Sequence, residues 1–203
     1  MHQTRSHARR HRHRHATPER ILRAAFEEFT KRGFEGARID EIAERADCNK
    51  ALIYRHYRHK EDLFKQVLEA RLEELGRLHV DPERLAEAAG EFFDFHAANP
   101  WLTRLLQWEA LDFGTKAVPN EEQRSTKVQE RVDAIAEAQK KGLADPNLDA
   151  RQTLATLMGM VGWWFAFPQT ARMIAGGDPY SPEALKRRRA HVVEAARKFL
   201  EVR

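Results

Sequence analysis

Between Ile39 and Ala46 the apolar residues Ile39, Ile42, Ala43 and Ala46 fall at i, i+3, i+4 and i+7, while Asp40, Glu41, Glu44 and Arg45 take the remaining positions. That stripe predicts a short amphipathic helix with one packed and one solvated face. The pattern lapses at Ala46-Asp47-Cys48, where Asp47 tolerates a left-handed backbone and bonds its own main chain. Asn49 is a good N-cap for a second short helix running from Lys50 to Tyr57. Two short helices joined by so tight a turn must cross steeply. Past Leu68, Asp81-Pro82, Asn99-Pro100, Pro119-Asn120, Asp145-Pro146 and Ser181-Pro182 divide the chain into helix-length segments, and none alternates with period two. The expected fold class is therefore all-α. A three-helix head over residues 17–68 is followed by a larger helical domain over residues 69–203, with a fourth helix at about residues 60–79 joining them.

Two later segments are more apolar. Leu154 to Phe167 is too short to span a bilayer and contains Gly159 and Gly162, so it reads as a buried helix in which glycine permits close packing. The last helix begins at the N-cap Ser181 with Pro182 in its first turn and lines up Leu185, Val192, Ala196 and Phe199.

The chemistry of the Lys50 helix suits a nucleic-acid groove. From Arg45 to Lys60 the cations are Arg45, Lys50, Arg55, Arg58 and Lys60, against the single acid Asp47. Small Ala51 permits close approach to base edges, Leu52 fits a thymine methyl, and Lys50 has the reach for guanine acceptors. Tyr54, Arg55, His56 and Lys60 are better suited to phosphates. A steeply crossed second helix is also the geometry that enters a major groove.

The stretch from Thr17 to Leu68, about a quarter of the chain, resembles the DNA-binding domain of the Tet repressor (TetR) family of transcription regulators. That family's pattern of spaced Ile, Phe, Gly, Ile-Ala, aromatic, Lys and Leu positions is matched by Ile21, Phe29, Gly33, Ile42-Ala43, Ile53-Tyr54, Tyr57, Lys60 and Leu63. There are departures. Ala46-Asp47-Cys48 stands where the family has Ala-Gly-Val, Ala51 where a glycine is usual, and Arg38 where Thr or Ser caps the second helix. The capping bond is lost with Arg38, although its guanidinium offers a phosphate ligand. An altered operator sequence is expected, not a lost function. The resemblance implies a helix-turn-helix head whose DNA-binding residues are Arg38, Asn49, Lys50, Ala51, Leu52, Tyr54, Arg55, His56 and Lys60.

The same resemblance implies that the body binds an effector and pairs two copies. A small, mainly apolar effector is expected among Phe92, Phe95, His96, Trp101 and Leu105, with Trp108, Glu109, Met158, Trp163 and Phe167 beside them. The homodimer interface is expected at Leu157, Val161 and Trp164 of one helix and at Leu185, Val192, Ala196 and Phe199 of the last. The partners are thus a double-stranded DNA operator with an inverted repeat, an effector and a second copy, and ligand-responsive repression in the cytoplasm is the implied role.

Composition narrows the alternatives. The net charge of +4 comes from residues 1–16, which hold five Arg and no acid, while the rest carries 30 basic against 31 acidic side chains. This Arg/His-rich tail has no apolar run, reads as a disordered arm, and is no secretory signal. Such an arm suits phosphate or minor-groove contacts. The lone Cys48 excludes an internal disulfide and reads as a small turn residue. No Glu-x-x-His, Gly-x-Ser-x-Gly or phosphate-cradling glycine loop occurs, so no catalytic residue, metal ligand or cofactor is assigned, and an all-helical enzyme is a remote alternative. A nucleoid-type protein that binds DNA without sequence choice would fit the tail but leave the aromatic body without a role.

Overall fold

The structure, a computed structural model, describes residues 17–202, so the Arg/His-rich tail lies outside the described residues. Within them the chain forms ten α-helices and one 3-10 turn, with no strand. The helices are α1 (Pro18–Gly36), α2 (Ile39–Arg45), α3 (Lys50–His56), α4 (Lys60–Gly76) and α5 (Leu85–Ala98). After these come α6 (Pro100–Phe113), α7 (Glu121–Lys140), α8 (Ala150–Ala166), α9 (Pro168–Ala175) and α10 (Pro182–Leu200).

The chain divides into two compact units, and the division is not a single cut. The described residues up to Glu73 form one unit with Leu105–Asn120, and Glu74–Arg104 with the residues from Glu121 onward form the other. A boundary near residue 68 thus moves to residue 73, and a stretch expected in the body joins the head instead. The physical reason is aromatic packing: Phe113 lies 5.6 Å from Phe34 and 6.1 Å from Phe64 between ring centroids. Phe64 meets Phe29 edge-on at 4.9 Å. Around these rings Ile21, Ile42, Ile53, Leu63 and Leu105 are fully buried or nearly so.

Three polar devices shape this head. Thr17 caps α1 by accepting a hydrogen bond from the Arg20 amide, with Pro18 in the first turn. Near its far end α1 breaks at Gly33, whose φ of 73° and ψ of −178° interrupt the helix. The amides freed there find a new acceptor, since Asp112 Oδ2 takes hydrogen bonds from Phe34 N at 2.6 Å and Glu35 N at 3.3 Å. Glu28, fully buried on α1, does a similar service for α2. Arg38 precedes that helix without a side-chain cap, and its amide donates to Glu28 Oε1 at 3.4 Å. Arg32 Nε at 3.0 Å and Arg45 Nη2 at 3.5 Å balance the Glu28 charge. A carboxylate out of water needs such partners, because an unpaired one costs several kcal/mol.

In the second unit α5 packs on α8 and α10, and α8 also packs on α7 and α9. Phe93, Ile135, Ala138, Val192 and Ala196 form the centre of its core. The face of α8 and α10 expected to pair two copies points into this core instead: Leu157, Val161, Trp164, Val192 and Ala196 are buried within one protomer, and Leu185 and Phe199 pack partly buried against them. Within the protomer nothing closes on Gly159 or Gly162, since a Cβ at either would meet nothing within 4 Å. The cause is that α8 is apolar on two faces, so helical period alone does not say which one the protomer covers. The uncovered face carries Met158, Trp163 and Phe167, each more than a third exposed. Of the cationic run at residues 186–189, Arg188 donates to the Met160 carbonyl over the Trp164 ring, and Arg189 grips Asp94 with Nε at 2.7 and 2.9 Å. No helix of the described residues is long and apolar enough to cross a membrane.

Candidate nucleic-acid interface

The reading of α2 and α3 from their spacing meets its geometry here. Ile42 and Ala43 on α2, Ala46 and Cys48 in the turn, and Ile53 and Tyr57 at α3 are buried together in the head core. Asp47 takes the left-handed conformation with φ of 52°, which lets the chain reverse between the helices. The turn is closed by Ala46 N to Ile42 O at 2.8 Å and Cys48 N to Ala43 O at 2.9 Å. Asn49 Oδ1 then accepts from Leu52 N at 2.8 Å and starts α3.

Anchoring by Ile53 and Tyr57 turns the opposite side of α3 outward. Asn49, Lys50, Ala51, Tyr54, Arg55 and His56 are exposed, as is Arg38 at the start of α2, while Leu52 is half-buried against the core. The outward face is therefore cationic and aromatic, with one small residue through which the backbone can approach a ligand. Two cations are already engaged. Lys50 Nζ lies 2.6 Å from Asp40 Oδ1, an exposed ion pair that the pattern of α2 alone did not suggest. Lys60 Nζ donates to the carbonyls of Glu35 and Ala37, both at 3.2 Å, and sits 4.8 Å from the Phe34 ring centroid. Two of its three hydrogens thus close the end of α1, which leaves one for a phosphate. Cys48 is buried, and desolvation, partly offset by Arg20 and reinforced by Asp47, pushes its thiol pKa up. Little thiolate forms near neutral pH, as befits a small packing residue.

The ten residues expected around an effector are split between the units. Leu105 is fully buried in the head core, Trp108 lies against Gly33, and Glu109 is buried in the same unit. Phe92, Phe95, His96 and Trp101 belong to the other unit, as do the exposed Met158, Trp163 and Phe167. Of these, His96 has the most developed surroundings. Its Nδ1 lies 3.1 Å from Thr103 Oγ1 and its ring stacks on Phe165 at 5.6 Å. Burial pushes the imidazole pKa below its usual value. A base whose folded pKa is depressed stabilises the fold above its unfolded pKa of about 6.5, and that contribution is lost as pH falls below this value. Thermal unfolding followed from pH 7.5 to 5 should therefore show a declining midpoint, and His96→Gln should flatten the decline; identical profiles would assign the acid sensitivity elsewhere.

No group of three or more His, Cys, Asp or Glu placed to hold a metal occurs among the described residues. What this surface can do is bind, through a groove-sized helix that presents charge and one small residue.

Comparison with known proteins agrees with that chemistry. Residues 21–67 match the family described as bacterial regulatory proteins, tetR family, and residues 84–198 match that described as tetracyclin repressor-like, C-terminal domain. The HTH-type transcriptional repressor SCO4008 of Streptomyces coelicolor is 36% identical over 187 residues, which cover 92% of this chain and 96% of that protein. The crystal structure of the transcriptional regulator SCO4942 from Streptomyces coelicolor superimposes with a TM-score of 0.76 at 33% identity, covering 90% of this chain and 97% of that one. FadR of Bacillus subtilis, crystallised in complex with stearoyl-CoA, shares the fold with a TM-score of 0.65 at 17% identity, covering 91% of this chain and 100% of that one.

Proposed function

The chain belongs to the TetR family of transcriptional regulators, and from that premise we propose that two copies read an inverted-repeat operator and release it when a small effector occupies the body. The observation that carries the reading is the outward face of α3, where Lys50, Ala51, Tyr54 and Arg55 are exposed while Ile53 and Tyr57 fix the helix from beneath. A helix so held presents its side chains in one orientation, which sequence readout requires.

A single head offers few base contacts. Two related by a two-fold axis read half-sites about one helical turn apart, or a multiple of it. The exposed apolar face of α8, with Met158, Trp163 and the two glycines, is the surface for the second copy. Clustered apolar side chains of this kind mark association surfaces, whereas single ones do not. An effector that favours the wrong head separation by a few kcal/mol suffices to empty the operator. That FadR of Bacillus subtilis, which shares the fold, was crystallised in complex with stearoyl-CoA supports the reading that a chain of this fold answers to a small molecule.

Selection of bound duplexes from a random pool at near-physiological salt, followed by sequencing, tests the reading. An enriched inverted repeat is the expected result. No enrichment, with binding that fades as salt rises, would overturn it in favour of nonspecific DNA binding. Once the operator is known, Lys50 and Arg55 should separate. Lys50→Ala should relax the preference at one base position at a cost of about 1–3 kcal/mol. Arg55→Ala should instead weaken all sequences alike and lower the salt slope by about one per head. Fluorescence anisotropy at several salt concentrations distinguishes the two patterns, and the same profile for both variants would refute the assignment of roles.

A further inference from the structure

In the second unit the chain leaving α4 runs from Gly76 to Pro82 beside α7, and together they line a cavity of about 670 Å³. That size is within the range of small-molecule sites. Leu78, Val80, Pro82 and Ala134 give it apolar wall, Arg77, Lys127, Arg131 and Lys140 give it positive charge, and Glu130, Asp133 and Glu137 give it negative charge, with Asp133 accepting from Gln129 and Glu137 beside Lys140. The charges are unequal in their partners. Lys127 Nζ is held by both Glu130 oxygens at 2.9 Å. Arg131 is half-buried, its guanidinium stacks 4.7 Å from the Phe92 ring centroid, and its Nη2 donates to the Leu75 carbonyl at 3.2 Å. No carboxylate of the described residues lies within the 4.0 Å of an ion pair, and Glu130, which acts on it from farther off, is already engaged by Lys127.

Burial lowers the Arg131 pKa, yet a guanidinium keeps its charge at any physiological pH. The cavity wall therefore holds a partly desolvated cation whose hydrogen-bond partner is neutral, an arrangement that an anion would relieve. The planar fork of a guanidinium matches a carboxylate, and an apolar wall beside it suits a hydrocarbon body. We propose that this cavity binds a small organic acid, its carboxylate on Arg131 and its apolar part along Leu78, Val80 and Ala134. The bound acid draws Arg131 from the Leu75 carbonyl and so loosens the last turn of α4. Because α4 also carries Leu63 and Phe64 of the head core, loosening it bears on operator binding. This gating rests on the reading of the body as effector-responsive.

The test uses the full chain with sodium decanoate and with decanol, its uncharged counterpart, read by calorimetry and by release of labelled operator. Decanoate should bind about tenfold more tightly than decanol, and Arg131→Met should remove that advantage while decanol binding stays as it was. Ala134→Trp, which puts bulk into the cavity one turn along α7 from Arg131, should abolish decanoate binding in a protein of unchanged helical circular dichroism. Equal binding of acid and alcohol, undiminished decanoate binding by either variant, or no decanoate binding by the wild type would overturn the site. Release of operator by neutral apolar compounds in a protein that ignores decanoate would overturn the acid site and leave the effector reading standing. Decanoate binding without operator release would overturn the gating.

Discussion

Gly33→Ala should lower stability by about 2–6 kcal/mol, the largest single-residue loss expected outside the hydrophobic core. Two independent effects contribute. The backbone at φ of 73° and ψ of −178° is in a region that is essentially glycine's alone, at a strain of about 1–3 kcal/mol for any other residue. The added methyl would also stand 2.7 Å from Trp108 Cε3 and 3.0 Å from Asp112 Oδ2. Overpacking of this kind costs about 1–3 kcal/mol more. The indole and carboxylate have little freedom to yield, since Asp112 is bonded to two amides of the same segment. Urea unfolding of the variant and of Gly36→Ala makes the comparison, because a Cβ at Gly36 meets only Arg32 Cβ at 3.4 Å and the backbone there is ordinary. Matching midpoints for the two variants would show that the kink at Gly33 is not the constraint argued above.

The second large effect concerns assembly. Gly162→Glu adds a side chain where nothing within 4 Å of the new Cβ obstructs it, and glycine is a poor helix former, so the protomer should fold at least as well as before. In a pair of copies joined through α8, however, the new carboxylate would enter an apolar contact without a partner. The expected product is a folded monomer whose operator affinity falls by about 100-fold or more, because two linked heads bind far more tightly than one. Sedimentation equilibrium gives the mass and anisotropy the affinity. A variant that stays dimeric would move the interface to another face.

Local chemistry made the head legible. The turn at Asp47, the cap at Asn49 and the two short stripes around them are set by residues within a few positions of one another, and their spacing carries the geometry. The contacts that position the head from afar left no such trace. Asp112 lies 78 residues from Phe34, and Glu28 reads from its neighbours as an ordinary polar position on α1 although it is wholly buried. The face of α8 that the protomer itself covers left no local trace for a related reason. Counting apolar residues on α8 identifies it as doubly apolar, but whether Val161 or Met158 faces the protomer's own core depends on where α5 and α10 come to rest. The effector residues were grouped by aromatic content, and the structure sorts Trp108 and Phe92 into different units, a distinction that composition does not hold.

On the reading of α3 as the recognition helix, Asp40, lying 2.6 Å from Lys50, gives it a tethered counterion. A cation that meets DNA ordinarily displaces a mobile ion from the phosphate atmosphere, and the slope of affinity against salt counts the ions set free. When Lys50 exchanges Asp40 for DNA, the displaced anion stays attached to the protein and continues to repel the phosphates nearby. The salt slope then undercounts the positive charges in the complex, and neutralising residue 40 as Asp40→Asn would favour every duplex alike, so that tighter binding would come with discrimination unchanged.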